Sequence, residues 1–303
     1  MNKKKNKNIY RTLFLLFAVI PPLANFAIFY VYVNADAFFR AFFDIDGNLT
    51  LSNFSKIIVE LQKDTTDLAT AFKNTFLIFG ITLACYPFKV LVSYFIYKKI
   101  PFAGFYRIVF FMPSIVFSVC TALVFQRVVG PTGALAKAVG EWLNLGYTPE
   151  FLADSQFANK VVILHMLWLG FPGDLIVWGG TFTRIPEELI ESGRVDGVTW
   201  WQEFTKIIVP LVWPTISLQM VLMFAGIFSA SGASFLLTGG EYGTETFSSW
   251  MYKFMINNTS GYAGNVNAFN FMAALGMVVT IITLAISLAV RKISDKMHND
   301  IEF

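Results

Sequence analysis

Charge is what this sequence of 303 residues has least of: Asp, Glu, Lys and Arg make up only 14% of it, where soluble domains run nearer a quarter. That deficit excludes a disordered chain, which needs charge to stay solvated, and an ordinary water-soluble enzyme. Cysteine is scarce as well. Cys85 and Cys120 both lie inside apolar runs, so the disulfide framework of a small secreted domain is not implied. Histidine occurs twice, as His165 and His298, too far apart to suggest metal ligands. The formal charge of +3, with no basic stripe interleaved with aromatics outside the apolar runs, argues against nucleic acid as a partner. No internal repeat or low-complexity linker divides the chain. No Ser–His–Asp, Cys–His or paired-carboxylate arrangement marks it as an enzyme.

What is present is apolar length. Hydrophobic residues make up 55% of the chain, and six stretches stand out: 12–33, 74–96, 105–127, 159–181, 209–231 and 269–290. A helix of about 20 apolar residues crosses the roughly 30 Å hydrocarbon layer, so each is long enough to span it. Helices are required, because a lipid-exposed strand would leave backbone groups without partners. The expected fold is an all-α integral membrane protein with six transmembrane helices, as one domain over 1–303. The first span resembles a signal peptide in its basic start (Lys3, Lys4, Lys5, Lys7, Arg11) and in Val33-Asn34-Ala35. Its apolar run is longer than a typical signal core and contains Pro21-Pro22, so it is expected to be retained.

Orientation follows the basic residues. With the N-terminus inside, inner segments hold 14 of the 23 Lys and Arg and outer segments eight, although the outer loops are longer. Both termini are therefore expected to be cytoplasmic. In the first outer loop Phe54, Ile57, Ile58 and Leu61 recur at helical intervals, which predicts a short amphipathic helix.

The inner loop between spans four and five, residues 186–210, reads PEELIESGRVDGVTWWQEFTKIIVP. Pro186 suits a first helical position, and Glu187 and Glu188 favour the positive end of a helix dipole. The helix should stop at Asp196-Gly197, where glycine can take the left-handed conformation. Thr199 with Gln202 three residues on fits a capping box, so a second short helix is expected from Trp200 towards Pro210. Counting Arg184 just before this stretch, five acids face three bases. An acidic, partly apolar helix pair beside a membrane suits a protein partner better than anionic lipid.

The spacing of Glu191-Ser192-Gly193, Gly197, Ile207 and Val209-Pro210 resembles the EAA signature of ABC importer permeases. That signature runs Glu-Ala-Ala, three residues, Gly, nine residues, Ile, one residue, Leu-Pro, and every gap is kept here. Ser192 and Gly193 stand in place of alanines and Val209 in place of leucine. The resemblance implies that Glu191, Ser192, Gly193, Asp196, Gly197, Ile207 and Pro210 form a coupling element that docks into a cleft on a separate ATP-hydrolysing subunit. It implies that Glu191 makes the polar contact at the rim and that Gly197 allows the tight turn. The sequence has no G-x-x-x-x-G-K-[ST] loop of its own. ATP and Mg are thus expected on the partner, with no cofactor on this chain and no catalysis by it. The implied partners are a homologous second permease, two ATP-binding subunits, an extracytoplasmic solute-binding protein and the lipid of a bacterial-type plasma membrane.

Further pieces resemble the carbohydrate branch of that family, the permeases for maltose-type sugars and glycerol phosphate, over roughly residues 50–290. They are Asn74-Thr75 after Ala71-Phe72, Arg107 before Phe110, Phe111 and Pro113, and Trp168-Leu169-Gly170-Phe171-Pro172 ahead of Ile185-Pro186. The last outer loop adds Leu237-Thr238-Gly239-Gly240, Thr244-Glu245-Thr246 and Gly261-Tyr262-Ala263, and looks most like the larger-type partner of a permease heterodimer. Placed through Trp168 and Glu191, the pocket of the maltose permease falls near Met166, Leu169, Gly170, Gly173, Met223, Ile227 and Ala230, without that pocket's polar asparagines and serine. Either Gln219, Ser229 and Ser231 replace that polarity, or specificity resides mainly in the external binding protein. The candidate substrate pathway is therefore Trp168, Gly170, Gly173, Asp174, Gln219, Met223, Ile227 and Ser229. Another solute in the same importer class, such as a polyol phosphate or a peptide, stays open. A transporter driven by an ion gradient would call for carboxylates in several spans, whereas only Asp174 is evident.

Two charges lie within spans that run in the same direction, from outside to inside. Lys89 is 15 residues into 74–96 and Asp174 is 15 residues into 159–181. Equal depth allows an intramembrane ion pair; the alternative is that Lys89 snorkels to the inner surface. Pro172 withholds a backbone donor from the carbonyl of Trp168, which predicts irregular backbone at mid-span, lying against protein or a water-lined cavity.

Overall fold

The computed structural model describes residues 2–62, 67–144, 146–229, 232–259 and 266–299. Fourteen α-helices follow one another. They are α1 (Asn2–Asn25), α2 (Val33–Ala41), α3 (Ser52–Gln62), α4 (Asp67–Tyr97), α5 (Ala103–Ile115), α6 (Ser118–Val129) and α7 (Ala134–Trp142). Then come α8 (Ala158–Phe182), α9 (Glu187–Val195), α10 (Trp200–Gln202), α11 (Val209–Ala225), α12 (Gly232–Thr238), α13 (Phe247–Thr259) and α14 (Val266–Asn299). Wider π-helical turns at Phe26–Tyr32 and Glu203–Ile208 join α1 to α2 and α10 to α11, and a 3₁₀ turn follows at Ile227–Ser229. Six stretches are long and apolar enough to cross a membrane: Leu13–Ala41, Leu68–Tyr97, Ser118–Trp142, Ala158–Phe182, Trp200–Ala225 and Val266–Met297.

The expected third span, 105–127, is not one helix. Pro113 lies near the end of α5, Val116 is extended, and α6 restarts at Ser118. The proline removes a donor one turn from the end, so the last turn is held too weakly to continue. The fifth span also differs from 209–231: its helix begins at Trp200 and ends at Ala225.

The chain divides into two compact units. The first holds residues 1–63 and 255–280. Its leading helix continues past Pro21 and Pro22, and the apolar side chains along Leu13–Val33 are exposed, as a lipid-facing helix requires. The predicted amphipathic helix is α3; Ile57 is buried while Ile58 and Leu61 stay exposed. The turn before α3 is tied by two asparagines. Asn53 Nδ2 donates to the carbonyls of Ala41 and Phe43, and Asn270 Nδ2 to those of Phe43 and Asp44.

The second unit holds residues 64–254 and 281–303. Its main core gathers Tyr86, Val90 and Tyr94 of α4, Trp178 and Phe182 of α8, Ile190 of α9, and Ile208, Val212 and Ile216 of the helix that follows. A smaller cluster joins Ala122, Val162, Ala233 and Leu237. The buried His165 lies against it, its ring 4.7 Å from that of Phe125.

Candidate functional site

The turn of the loop 186–210 folds as its punctuation dictates, while Pro186 stands at the N-cap and not at the expected first helical position. Pro186 is extended and caps α9; Glu187 and Glu188 occupy the first turn and Arg194 the last, both complementing the dipole. At the far end Gly197 has φ +76°, its N–H bonds the carbonyl of Arg194, and Val198 N–H bonds that of Gly193. This is the paired hydrogen bonding of a Schellman stop. The capping box then forms in both directions: Gln202 N–H donates to Thr199 Oγ1, and Thr199 N–H to Gln202 Oε1.

The second helix is not a short one. It passes without a break from Trp200 through the π turn Glu203–Ile208 into α11, so the expected end or kink at Pro210 does not occur. Pro210 cannot donate to the turn before it. The wide turn takes up that deficit: Val209 N–H bonds the carbonyl of Phe204, five residues back.

Glu191, Ser192, Asp196 and Gly197 are exposed. Gly193 is buried against Ile207, and a Cβ placed there would stand 2.8 Å from Ile207 Cδ1. Ile207 and Pro210 are half-buried. The signature positions therefore do two things: four face outward, and the Gly193–Ile207 contact closes the angle between the helices.

Beneath the loop lies a polar group that sequence reasoning missed. Glu203 is only 4% exposed. Its Oε1 accepts from the hydroxyl of Tyr94 at 2.8 Å and its Oε2 from Lys98 Nζ at 2.6 Å. Rings surround it: Tyr94 lies 5.1 Å from Phe204 and 6.2 Å from Phe182, centroid to centroid. A cavity of about 860 Å³ opens beside the loop, lined by Ser93, Tyr97, Lys99, Arg107, Gly180 and Glu191 among others.

The intramembrane charges meet. Lys89 Nζ is 2.8 Å from Asp174 Oδ2 and 3.4 Å from the carbonyl of Gly170, and the two side chains are 7% and 23% exposed. Gly170 leaves the space that the ammonium fills, since a Cβ there would stand 3.4 Å from it. The backbone nearby is regular, contrary to expectation. α8 continues through Pro172, because one missing donor is a single lost rung in a long helix.

The candidate pathway residues are not gathered in one cavity. Trp168, Gly170 and Gly173 are exposed at different bearings around α8 and Asp174 is half-buried, while Gln219 and Met223 are half-buried on α11. Ile227 is buried in the 3₁₀ turn, and Ser229 is exposed. Ala230, Ser231 and Gly261-Tyr262-Ala263 lie outside the described residues.

At the opposite end of α4 a second unpredicted assembly holds the last outer loop. Asn74 Nδ2 donates to the carbonyls of Gly243 and Glu245, and Asn159 Nδ2 donates to Asn74 Oδ1. Phe247 N–H donates to Thr75 Oγ1, and Ser234 Oγ to the carbonyl of Thr244. Lys253 bridges Glu241 and Glu245. Burial alone would lower its pKa, but bonds to the two carboxylates outweigh that and raise it above the usual lysine value. The only signal in the sequence was a pair of polar residues, Asn74-Thr75, opening an apolar run.

Comparison with known proteins fits this architecture. The chain is 30% identical over 243 residues to the probable ABC transporter permease protein YurN of Bacillus subtilis, covering 77% of this chain and 79% of that one. It is 27% identical over 205 residues to the multiple sugar-binding transport system permease protein MsmF of Streptococcus mutans, covering 66% of each. Its fold matches a chain of a bacterial ABC transporter involved in the import of the acidic polysaccharide alginate, with a TM-score of 0.78 and 21% identity over 97% of this chain and 99% of that one. Residues 70–299 match the family described as binding-protein-dependent transport system inner membrane component. That match takes in both the loop 186–210 and the charges at 89 and 174, and the chain belongs to this family, as a multi-pass permease subunit of an ABC importer.

Proposed function

We propose that this chain carries a carbohydrate across a bacterial plasma membrane by alternating access, with both termini in the cytoplasm. In this reading it pairs with a homologous second permease. Two ATP-binding subunits bring ATP and Mg, and an extracytoplasmic binding protein delivers the solute. The chain itself makes and breaks no bonds. Its part is to turn a push on the loop 186–210 into movement of the spans joined to it. One observation carries the reading: the loop presents Glu191, Ser192, Asp196 and Gly197 outward, while its underside is set in the aromatic core. The sugar branch is supported by the Trp168 and Thr244-Glu245-Thr246 stretches and by the relatives' named substrates.

Affinity purification of the tagged chain in mild detergent, followed by uptake of labelled oligosaccharides in proteoliposomes, tests it. The chain should be recovered with a second permease and an ATP-binding subunit, and uptake should require ATP. Glu191→Lys should lose the ATP-binding subunit or its stimulation by substrate while inserting normally. A Glu191→Lys variant that transports at the normal rate would refute the coupling role; uptake driven by an ion gradient without ATP would refute the mechanism.

A further inference from the structure

We infer that Glu203 is the positioning residue that makes α4 move with the coupling loop; the inference rests on the coupling role proposed above. α8 leads into the loop and the helix beginning at Trp200 leads out of it, so the chain itself joins both to the loop. α4 has no such join. Apolar packing reaches it, through Tyr94 against Phe204 and Phe95 against Trp200, but such contacts are non-directional and permit sliding. Glu203 supplies direction. Each of its oxygens has its own donor on α4 or at its end, Tyr94 and Lys98, at 2.8 and 2.6 Å. Two charge-assisted or buried bonds to one rigid carboxylate fix both depth and rotation.

Local structure favours this role. Glu203 opens the π turn, and the turn brings Glu203, Phe204 and Ile208 to the buried side together. The Lys98 ammonium also lies 5.3 Å from the centre of the Tyr94 ring, so the three polar groups form one packed unit. None of them belongs to the spacing signature, whose exposed positions face away. The Lys89–Asp174 pair, nearer the middle of α4, extends the linkage to α8. A push at Glu191 thereby moves α4 and α8 as one body.

The test uses the complete importer, with ATPase subunits and binding protein, in proteoliposomes. The variants are Glu203→Gln, Lys98→Met and the exchange Lys98→Glu/Glu203→Lys, with Glu191→Lys alongside. Each of the two single variants at the pin should lower solute transported per ATP hydrolysed by about fivefold to tenfold, with subunits still co-purifying and ATP still hydrolysed. The exchange should recover at least about half of the ratio, because it restores the attraction with reversed polarity. Unchanged ratios in both single variants would overturn the proposal, as would an exchange no better than defective single variants. If the single variants do not assemble, the exchange decides: coupled transport supports the pin and uncoupled transport overturns it. Normal transport by Glu191→Lys would mean that the coupling role itself fails. A defect there with intact Glu203 variants would remove only the pin.

Discussion

At one end of α4 a carboxylate, an ammonium and a phenol converge beneath a shell of aromatic rings. At the other, Asn74 and Thr75 hold a loop by its own backbone, and Asn159 braces Asn74. Both ends are buried, yet they differ in kind: both Glu203 oxygens are bonded, while the Oδ1 of Asn159 at the outer end is buried without a partner. The Glu203 end joins charged partners inside a continuous apolar core, where removing one partner strands another. The Asn74 end combines neutral bonds to loop carbonyls, each contributing roughly 1 kcal/mol net, with the Lys253 bridge to Glu241 and Glu245. The two ends thus differ in what holds them: a carboxylate sealed in an apolar core beside the loop 186–210, and mainly bonds to loop backbone before α13 at the other.

The sharpest way to break the contrast is at the charged middle of α4. Asp174→Leu leaves the Lys89 ammonium buried without its partner, which should cost about 3–5 kcal/mol, seen as a lower thermal midpoint of the purified protein. Lys89→Met combined with Asp174→Leu should regain most of it. A double variant as unstable as the single one would mean that the pair is incidental. A smaller loss is expected at the outer clasp. Asn74→Ala removes both donors to the loop and the acceptor used by Asn159, for about 1–3 kcal/mol. It should show first as faster hydrogen exchange at residues 243–247, with α9 unaffected; protection there as strong as before would discount the clasp. The mildest effects separate two loop glycines. Gly197→Ala forces a side chain into left-handed backbone and should cost about 1–2 kcal/mol. Gly193→Ala needs only Ile207 Cδ1 to give way and should stay within about 0.5 kcal/mol. Equal thermal midpoints for the two would contradict the geometry described.

Much of this was legible in the sequence because it is local. Apolar length marked the crossing helices, Gly197 and the Thr199–Gln202 pair marked where the loop stops and restarts, and the equal depth of Lys89 and Asp174 brought them together. The misses have a common physical cause. Glu203 meets Tyr94 and Lys98 across 109 and 105 residues, and Asn74 meets the last loop across 169 and 171. No periodicity encodes such meetings. Two prolines also misled, since their effect depends on what surrounds them. Pro172 and Pro210 each withhold one donor within a long helix that runs on, as α4 does through Pro87 and α11 through Pro214. Pro113 lies near the end of the much shorter α5, and that helix stops.

The wide turn at Glu203–Ile208 has one more consequence. A π turn is in effect a single residue added to an α-helix, and each residue in a helix advances the azimuth by about 100°. The bearing of the loop relative to α11 is thus set by one residue, and deleting a residue within Glu203–Ile208 would swing residues 186–202 round by about 100°.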